Sequence, residues 1–254
     1  MNHPIVLISN ALAMKEEYLY LFKEMNVHLS MSLPGYETFQ EHTGVDNAEG
    51  VLYWFRKANE IGLQTTVNIT VTRKNYHELF ETISLGLING ASDVLLNRFL
   101  PGGRGLSYLS ELQLDSQQIN GMLEISEEVL SYANRYAHLG TEIPYCSIQN
   151  PEELKRTKIG YKCAAAKSFF VIDPSGQIRT CNHSPRVVGH IFQKPLISDT
   201  AYWNMFAQSD YKPEACSKCR MVELCDCGCR EVAQILHGNI KEIDTSALCS
   251  VKTI

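Results

Sequence analysis

Residues 216–229 read CSKCRMVELCDCGC, which places Cys216, Cys219, Cys225, Cys227 and Cys229 in one short run. Thiols packed this densely either cross-link a chain or hold metal. A C-x2-C pair sets two sulfurs on one metal centre, and cysteines elsewhere close the coordination. Outward from this run lie Cys163 and Cys181 on one side and Cys249 on the other. Cys163 is followed by twelve residues, Gly176, four more residues and Cys181. Between them residues 169–172 (FFVI) read as a strand, 173–176 (DPSG) as a turn and 177–180 as the return strand. That hairpin brings Cys163 and Cys181 to one site.

Three chemistries compete for these thiols. Disulfides suit exported proteins; nothing at the amino terminus signals export, and cytosolic thiols stay reduced. Structural zinc is signalled by C-x2-C, but no second such pair follows, only gaps of 5, 1 and 1 residues. Iron–sulfur clusters accept irregular spacing and ligands from distant segments. Charge adds mild support. Residues 146–254 hold all nine Cys and carry 14 Lys plus Arg against 11 Asp plus Glu, whereas residues 1–145 hold none and carry 9 against 17. A [4Fe–4S] centre with four thiolates carries a charge of about -2, which a basic surrounding partly offsets. The change of composition marks two regions, 1–145 and 146–254.

In the first region short apolar runs alternate with helical patterns. Residues 4–8 (PIVLI), 27–33, 64–72 and 93–99 read as strands, the first of them buried. Helices are expected over 15–25, with Leu19, Leu21, Phe22 and Met25 toward the core; over 48–61, with Val51, Leu52, Trp54, Phe55 and Ala58 as the apolar stripe; and over 76–88 and 117–137. Alternating strands and helices predict a parallel sheet whose functional loops lie at the carboxyl ends of the strands. Those loops include Ser32-Leu33-Pro34-Gly35 and residues 97–105, where Arg98 and Arg104 offer guanidinium forks for a carboxylate or stand as solvated turn residues. Four strands are too few to close a barrel, so an edge needs cover and the chain reads as though its beginning were missing.

The 254 residues are 44% hydrophobic and 20% charged, a globular composition. A net charge of -5 without a basic block argues against nucleic-acid binding. No apolar run reaches the roughly 18 residues of a membrane span. A soluble, cytoplasmic protein is expected.

The order C-x12-G-x4-C, C-x2-C-x5-C-x3-C and a final C (Cys163, Gly176, Cys181, Cys216, Cys219, Cys225, Cys229, Cys249) resembles the seven-cysteine signature of the SPASM domain, the carboxy-terminal extension of radical S-adenosylmethionine (radical SAM) enzymes that modify peptides and proteins. Ser32 to Gly35 and Pro101 to Gly105 resemble loops of the radical SAM partial barrel. The resemblance implies an α/β fold, an incomplete parallel (β/α) barrel over 1–145 followed by a small Cys-rich α+β SPASM domain over 146–254. It implies two auxiliary [4Fe–4S] clusters, one on Cys163, Cys181 and Cys229, the other on Cys216, Cys219, Cys225 and Cys249. Cys227 is a further ligand or a bystander thiol, and Cys146 reads as a small buried or bystander residue. Ser32, Asn68 and Asn97 are the candidate SAM contacts, with polar capping of strand ends as their plain alternative. His183 and His190, near the cluster segments, read as hydrogen-bonding or solvated residues.

The family's C-x3-C-x2-C loop, which holds the SAM-binding cluster, does not occur in this chain. SAM is therefore expected as a cofactor only with a complementing amino-terminal radical SAM fragment, and a peptide or protein is the expected substrate. The rival readings are a non-catalytic iron–sulfur module that transfers electrons or binds a peptide, and a zinc-stabilised structural protein.

Overall fold

A computed structural model of the chain describes residues 3–247. Strands and helices alternate as β1 (Ile5–Ser9), α1 (Glu16–Glu24), β2 (Val27–Ser32), α2 (Phe39–Thr43), α3 (Glu49–Glu60), β3 (Thr65–Val71), α4 (Leu79–Ile88), β4 (Asp93–Arg98), α5 (Leu109–Leu112), α6 (Ser116–Ala133), β5 (Ala137–Leu139) and β6 (Thr157–Lys158). The six strands form one sheet in sequence order, each pair of neighbours parallel. This is the α/β architecture of an incomplete (β/α) barrel.

The sheet has two unlike faces because side chains alternate along each strand. Leu29 and Met31 of β2, Val67 and Ile69 of β3 and Val94 and Leu96 of β4 are buried. On this side Gly86 of α4 sits against Val67, with no room for a Cβ. The stripe of α3 behaves as its periodicity predicts: Val51, Leu52, Phe55 and Ala58 are buried, and Trp54 is half-buried. The opposite face carries His28, Ser30, Ser32, Thr66 and Asn68, which register places side by side.

Burial departs from expectation at β1. Ile5, Val6, Leu7 and Ile8 are 45%, 59%, 37% and 65% exposed, because β1 pairs with β2 and otherwise lies at the sheet's edge. An apolar run marks a strand fit for cover on both faces, but the cover has to come from other elements. In α1, Leu19 is buried while Leu21 and Met25, expected in the core, are exposed. Two strands exceed the four expected. β5 and β6 are three and two residues long, too short for a pattern of period two. The helix expected to reach residue 137 stops at Ala133, where Asn134 turns the chain with φ 52°.

The chain divides into two compact units. The first takes the chain up to Phe99 together with Gln117–Thr141 and Asn150–Ile159, and so holds the whole six-stranded sheet. The second combines Leu100–Ser116, Glu142–Gln149 and the residues from Gly160 onward. It contains an antiparallel sheet of β7 (Val171–Ile172), β8 (Gln177–Arg179) and β9 (Gly189–His190), then α7 (Thr200–Ala207) and α8 (Arg230–His237). The expected hairpin is present with shorter strands. Its turn is fixed by the Asp173 carboxylate, which accepts the N–H groups of Ser175 and Gln177 at 3.0 Å each. Ile178, Val188, Tyr202, Phe206, Tyr211 and Ile240 form the core of this unit. Among the described residues no helix is long and apolar enough to cross a membrane.

Candidate functional site

In the first unit, Ser32, Asn68 and Asn97 lie on the polar face of β2, β3 and β4. Ser32 and Asn68 are register partners, and the Asn97 amide donates to Asn68 Oδ1 at 2.9 Å. The three side chains therefore form one row. Deeper on the same face His28 Nε2 meets Thr66 Oγ1 at 2.6 Å, and the buried Ser30 hydroxyl has no hydrogen-bond partner among the described residues. Of the two candidate arginines, Arg98 is buried, its backbone N–H on Thr141 Oγ1 at 3.0 Å, and Arg104 is exposed.

Sequence reasoning passed over the residues that shape the loop after β2. Glu78, in the turn entering α4, accepts the N–H groups of Tyr36 at 2.9 Å, Glu37 at 2.6 Å and Thr38 at 3.1 Å, and the Thr38 hydroxyl. Asn75 donates to the carbonyls of Pro34 and Thr70. Between them Gly35 is pressed against the Glu78 carboxylate and Thr38 Oγ1, leaving no space for a Cβ. Burial pushes the Glu78 carboxyl up, but these hydrogen bonds together prevail and hold it below its ordinary range. Local spacing carried no signal for these contacts, because Glu78 acts on residues some 40 positions away and Asn75 makes no side-chain cap bond.

In the second unit, Cys216, Cys219, Cys225 and Cys227, with Cys146, line a single cavity of about 430 Å³, open mouth included. Tyr145, Met221, Val222 and Ile243 complete its apolar walls. Cys146, expected to stand by, is exposed and belongs to the lining. Cys225 Sγ accepts two backbone N–H groups, from Cys227 at 3.2 Å and Tyr145 at 3.4 Å. The Cys227 thiol beside it and these donors lower Cys225 against the effect of burial. The Cys227 thiol is raised by its contacts with Cys216 and Cys225 and by burial.

Cys163, Cys181 and Cys229 lie outside that lining, and Cys181 is within electrostatic range of both Cys163 and Cys229. Burial pushes Cys163 and Cys181 up to about 12. Three buried acids frame this group. Asp226 Oδ2 accepts the Cys163 N–H at 2.8 Å, the Tyr211 hydroxyl at 2.8 Å and the Lys167 ammonium at 3.2 Å. Asp244 Oδ2 accepts the Cys229 N–H at 2.7 Å. Glu231, raised by burial, accepts from Tyr202 at 3.0 Å and from Thr180, next to Cys181, at 3.1 Å. Arg230, fully buried, donates to the carbonyls of Cys227, Gly228 (3.3 Å), Ile240 (3.2 Å) and Glu242 (2.8 Å). Of the two histidines, His183 packs against Gly102 and His190 Nε2 lies 3.0 Å from the Ser175 carbonyl. Cys249 lies outside the described residues.

Among the described residues no three His, Cys, Asp or Glu side chains converge as a single metal ion requires. Zinc draws its four ligands to within about 2.3 Å of one point. Thiolates, the donors gathered here, are ligands that both zinc and iron–sulfur clusters take.

No protein-family model matches the chain, and no curated protein matches it. Solved structures do. SuiB of Streptococcus suis bound to S-adenosylmethionine aligns over 97% of this chain and 60% of its own, with a TM-score of 0.72 and 17% identity. SuiB bound to the precursor peptide SuiA aligns over 97% and 59%, with 0.69 and 15%. AnSMEcpe with bound AdoMet aligns over 94% and 68%, with 0.69 and 16%. The chain thus spans about 60% of the SuiB chain. The likeness is one of fold: the partial (β/α) barrel with a small second unit is the architecture that the radical SAM resemblance implies.

Proposed function

We propose that this chain is an iron–sulfur protein of the radical SAM type, working in the cytoplasm on the modification of a peptide or protein. The carrying observation is that cysteines distant in sequence gather into two groups within one unit, on a fold shared with a protein bound to S-adenosylmethionine and to a precursor peptide. Cys163, Cys181 and Cys229 would hold one [4Fe–4S] cluster, and Cys216, Cys219 and Cys225 the other, with Cys249 as its further ligand by resemblance. When bound, such clusters supply electron acceptance or an anchoring point for substrate. The protein's own part is positional: Asp226 and Asp244 fix the backbone of Cys163 and Cys229, and apolar side chains wall the cavity of the other thiols.

In the first unit, the row of Ser32, Asn68 and Asn97 offers hydroxyl and amide groups to the polar groups of SAM. Since the chain carries no C-x3-C-x2-C, reductive cleavage of SAM depends on a segment that supplies it. The open edge of β1 is where further βα units, from the same polypeptide or a partner, would continue the sheet.

The test is iron, acid-labile sulfide and zinc per chain after anaerobic purification and reconstitution. About eight irons with matching sulfide are expected from two cubanes. Stoichiometric zinc with negligible iron would overturn the reading. SAM binding by calorimetry in the presence of the complementing segment should weaken about tenfold in Asn68→Ala, and unchanged affinity would remove the strand-end row from the site.

A further inference from the structure

We infer that the corner of the first unit around Tyr136 is a docking surface for an acidic segment of the peptide or protein substrate, held by Arg135, Lys155, Arg156 and Lys158. The inference rests on the reading of the chain as acting on a peptide, and names the chemistry of that peptide. The first unit carries 11 Lys plus Arg against 16 Asp plus Glu, yet these four cations gather at one place. Register pairs Ala137 with Thr157, so Arg135 and Tyr136 run beside Lys155 and Arg156 as the chain enters β5 and β6. Among the described residues none of the four is in an ion pair, whereas Lys57 pairs with Glu60 and Lys74 with Glu41. Glu127, the acid that reaches this segment, turns its carboxylate to the backbone: it accepts the N–H groups of Lys155 and Arg156 at 2.7 Å and of Thr157 at 3.0 Å. A basic corner on an acidic unit selects a short anionic stretch, since a long phosphate polymer would meet the surplus acids around it.

Geometry supports the assignment. The Arg156 guanidinium carbon lies 4.9 Å and the Lys158 ammonium 5.6 Å from the centroid of the exposed Tyr136 ring. Two cations at one ring repel each other, and a carboxylate laid between them relieves that repulsion. Next to them Arg135 lines a polar cavity of about 850 Å³, open mouth included, together with Asn59, Gln64, Gly90 and Ser92. No Asp or Glu belongs to that lining. The Arg135 guanidinium reaches only the Asn134 carbonyl, at 3.5 Å, and the side-chain amides of Asn59 and Gln64 make no hydrogen bond among the described residues. One guanidinium fork and two amides form a donor set for a carboxylate. Gly90 (φ 103°) packs so closely on Asn59 that no Cβ would fit, which fixes this wall. Gln64 and Ser92 directly precede β3 and β4, so the surface lies at the end of the sheet opposite to Ser32 and Asn97. A peptide held here is gripped by a part remote from the reacting atoms, and the strand-end row stays free.

The test is fluorescence anisotropy of a labelled dodecapeptide of alternating Glu and Ser, and of its Gln-for-Glu counterpart, titrated with the full chain. The acidic peptide should bind at about 50 mM salt and be released at about 500 mM, and the Gln peptide should not bind. Reversing two charges in Arg156→Glu/Lys158→Glu should weaken binding about tenfold and Arg135→Ala about threefold, while Lys15→Glu, ahead of α1, keeps the wild-type affinity. The variants' thermal transitions, followed through Trp54 in a Trp203→Phe background, check that they fold. Wild-type protein that ignores the acidic peptide, binds the Gln peptide equally well, or keeps its affinity after the charge reversal would overturn the inference. Tighter binding to heparin or to phosphatidylglycerol vesicles would overturn it too, by assigning the corner to a different class of partner. Iron measured on the same preparation separates the two readings: iron-free protein that binds the peptide sinks the cluster reading and leaves this one, and iron-loaded protein that does not bind it does the reverse.

Discussion

Replacing Glu78 by Gln tests whether one buried carboxylate sets the loop after β2. Glu78 is 4% exposed and receives three backbone N–H groups and a hydroxyl, two donors on each oxygen. An amide keeps one acceptor oxygen and turns its NH2 toward the remaining donors. The Thr38 hydroxyl can rotate to accept, but the Thr38 N–H is left facing a donor. Hydrogen bonds to a charged group contribute about 1.5–3 kcal/mol each, and an orphaned buried donor costs about 1–3 kcal/mol. Relief from burying a charge offsets part of this, leaving a loss of about 2–4 kcal/mol, or on the order of 5–10 °C in Tm. The chain has two tryptophans, and a Trp203→Phe background makes the fluorescence of Trp54 report on the first unit. pH supplies a second readout. Because the folded carboxyl lies below its unfolded value of about 4.3, its contribution is complete at neutral pH and is lost as pH falls through the folded pKa. The gap between wild type and Glu78→Gln should be constant from pH 8 to about pH 5 and close below about pH 4. A gap under ~1 kcal/mol, or one that widens on acidification, would refute the reasoning.

Other substitutions probe the remaining elements. Gly35→Ala should cost about 1–3 kcal/mol in the same transition, since its Cβ would push Glu78 and Thr38 apart; a neutral effect would mean the loop yields freely. Arg230→Met deprives four buried carbonyls of their donor and should cost about 3–5 kcal/mol in the second unit, followed through Trp203; a loss below ~1 kcal/mol would show that these carbonyls find other partners. Val6→Lys and Ile8→Lys should change stability by less than ~0.5 kcal/mol, since both side chains are exposed, while reducing self-association in light scattering; a large destabilisation would mean that β1 is covered.

Which strands exist was legible where they were long enough to show a period. β3 announced itself through β-branched residues, and α3 through Val51, Leu52, Phe55 and Ala58, because amphipathicity is written in local spacing. β5 and β6 are too short to leave such a trace, and the sheet's size was underestimated. The acids around the cysteines left no local signal, because Asp226 and Asp244 act on residues 63 and 15 positions away.

The sequence by itself determined that parallel βα units precede a thiol-rich region, because hydrophobic period and cysteine spacing are properties of neighbouring residues. Tertiary structure alone decided which thiols share a cavity, that Cys146 and Cys227 join Cys216, Cys219 and Cys225, and that the apolar strand β1 is left exposed. Those outcomes depend on what packs against each residue from distant parts of the chain, and local spacing carries no record of that.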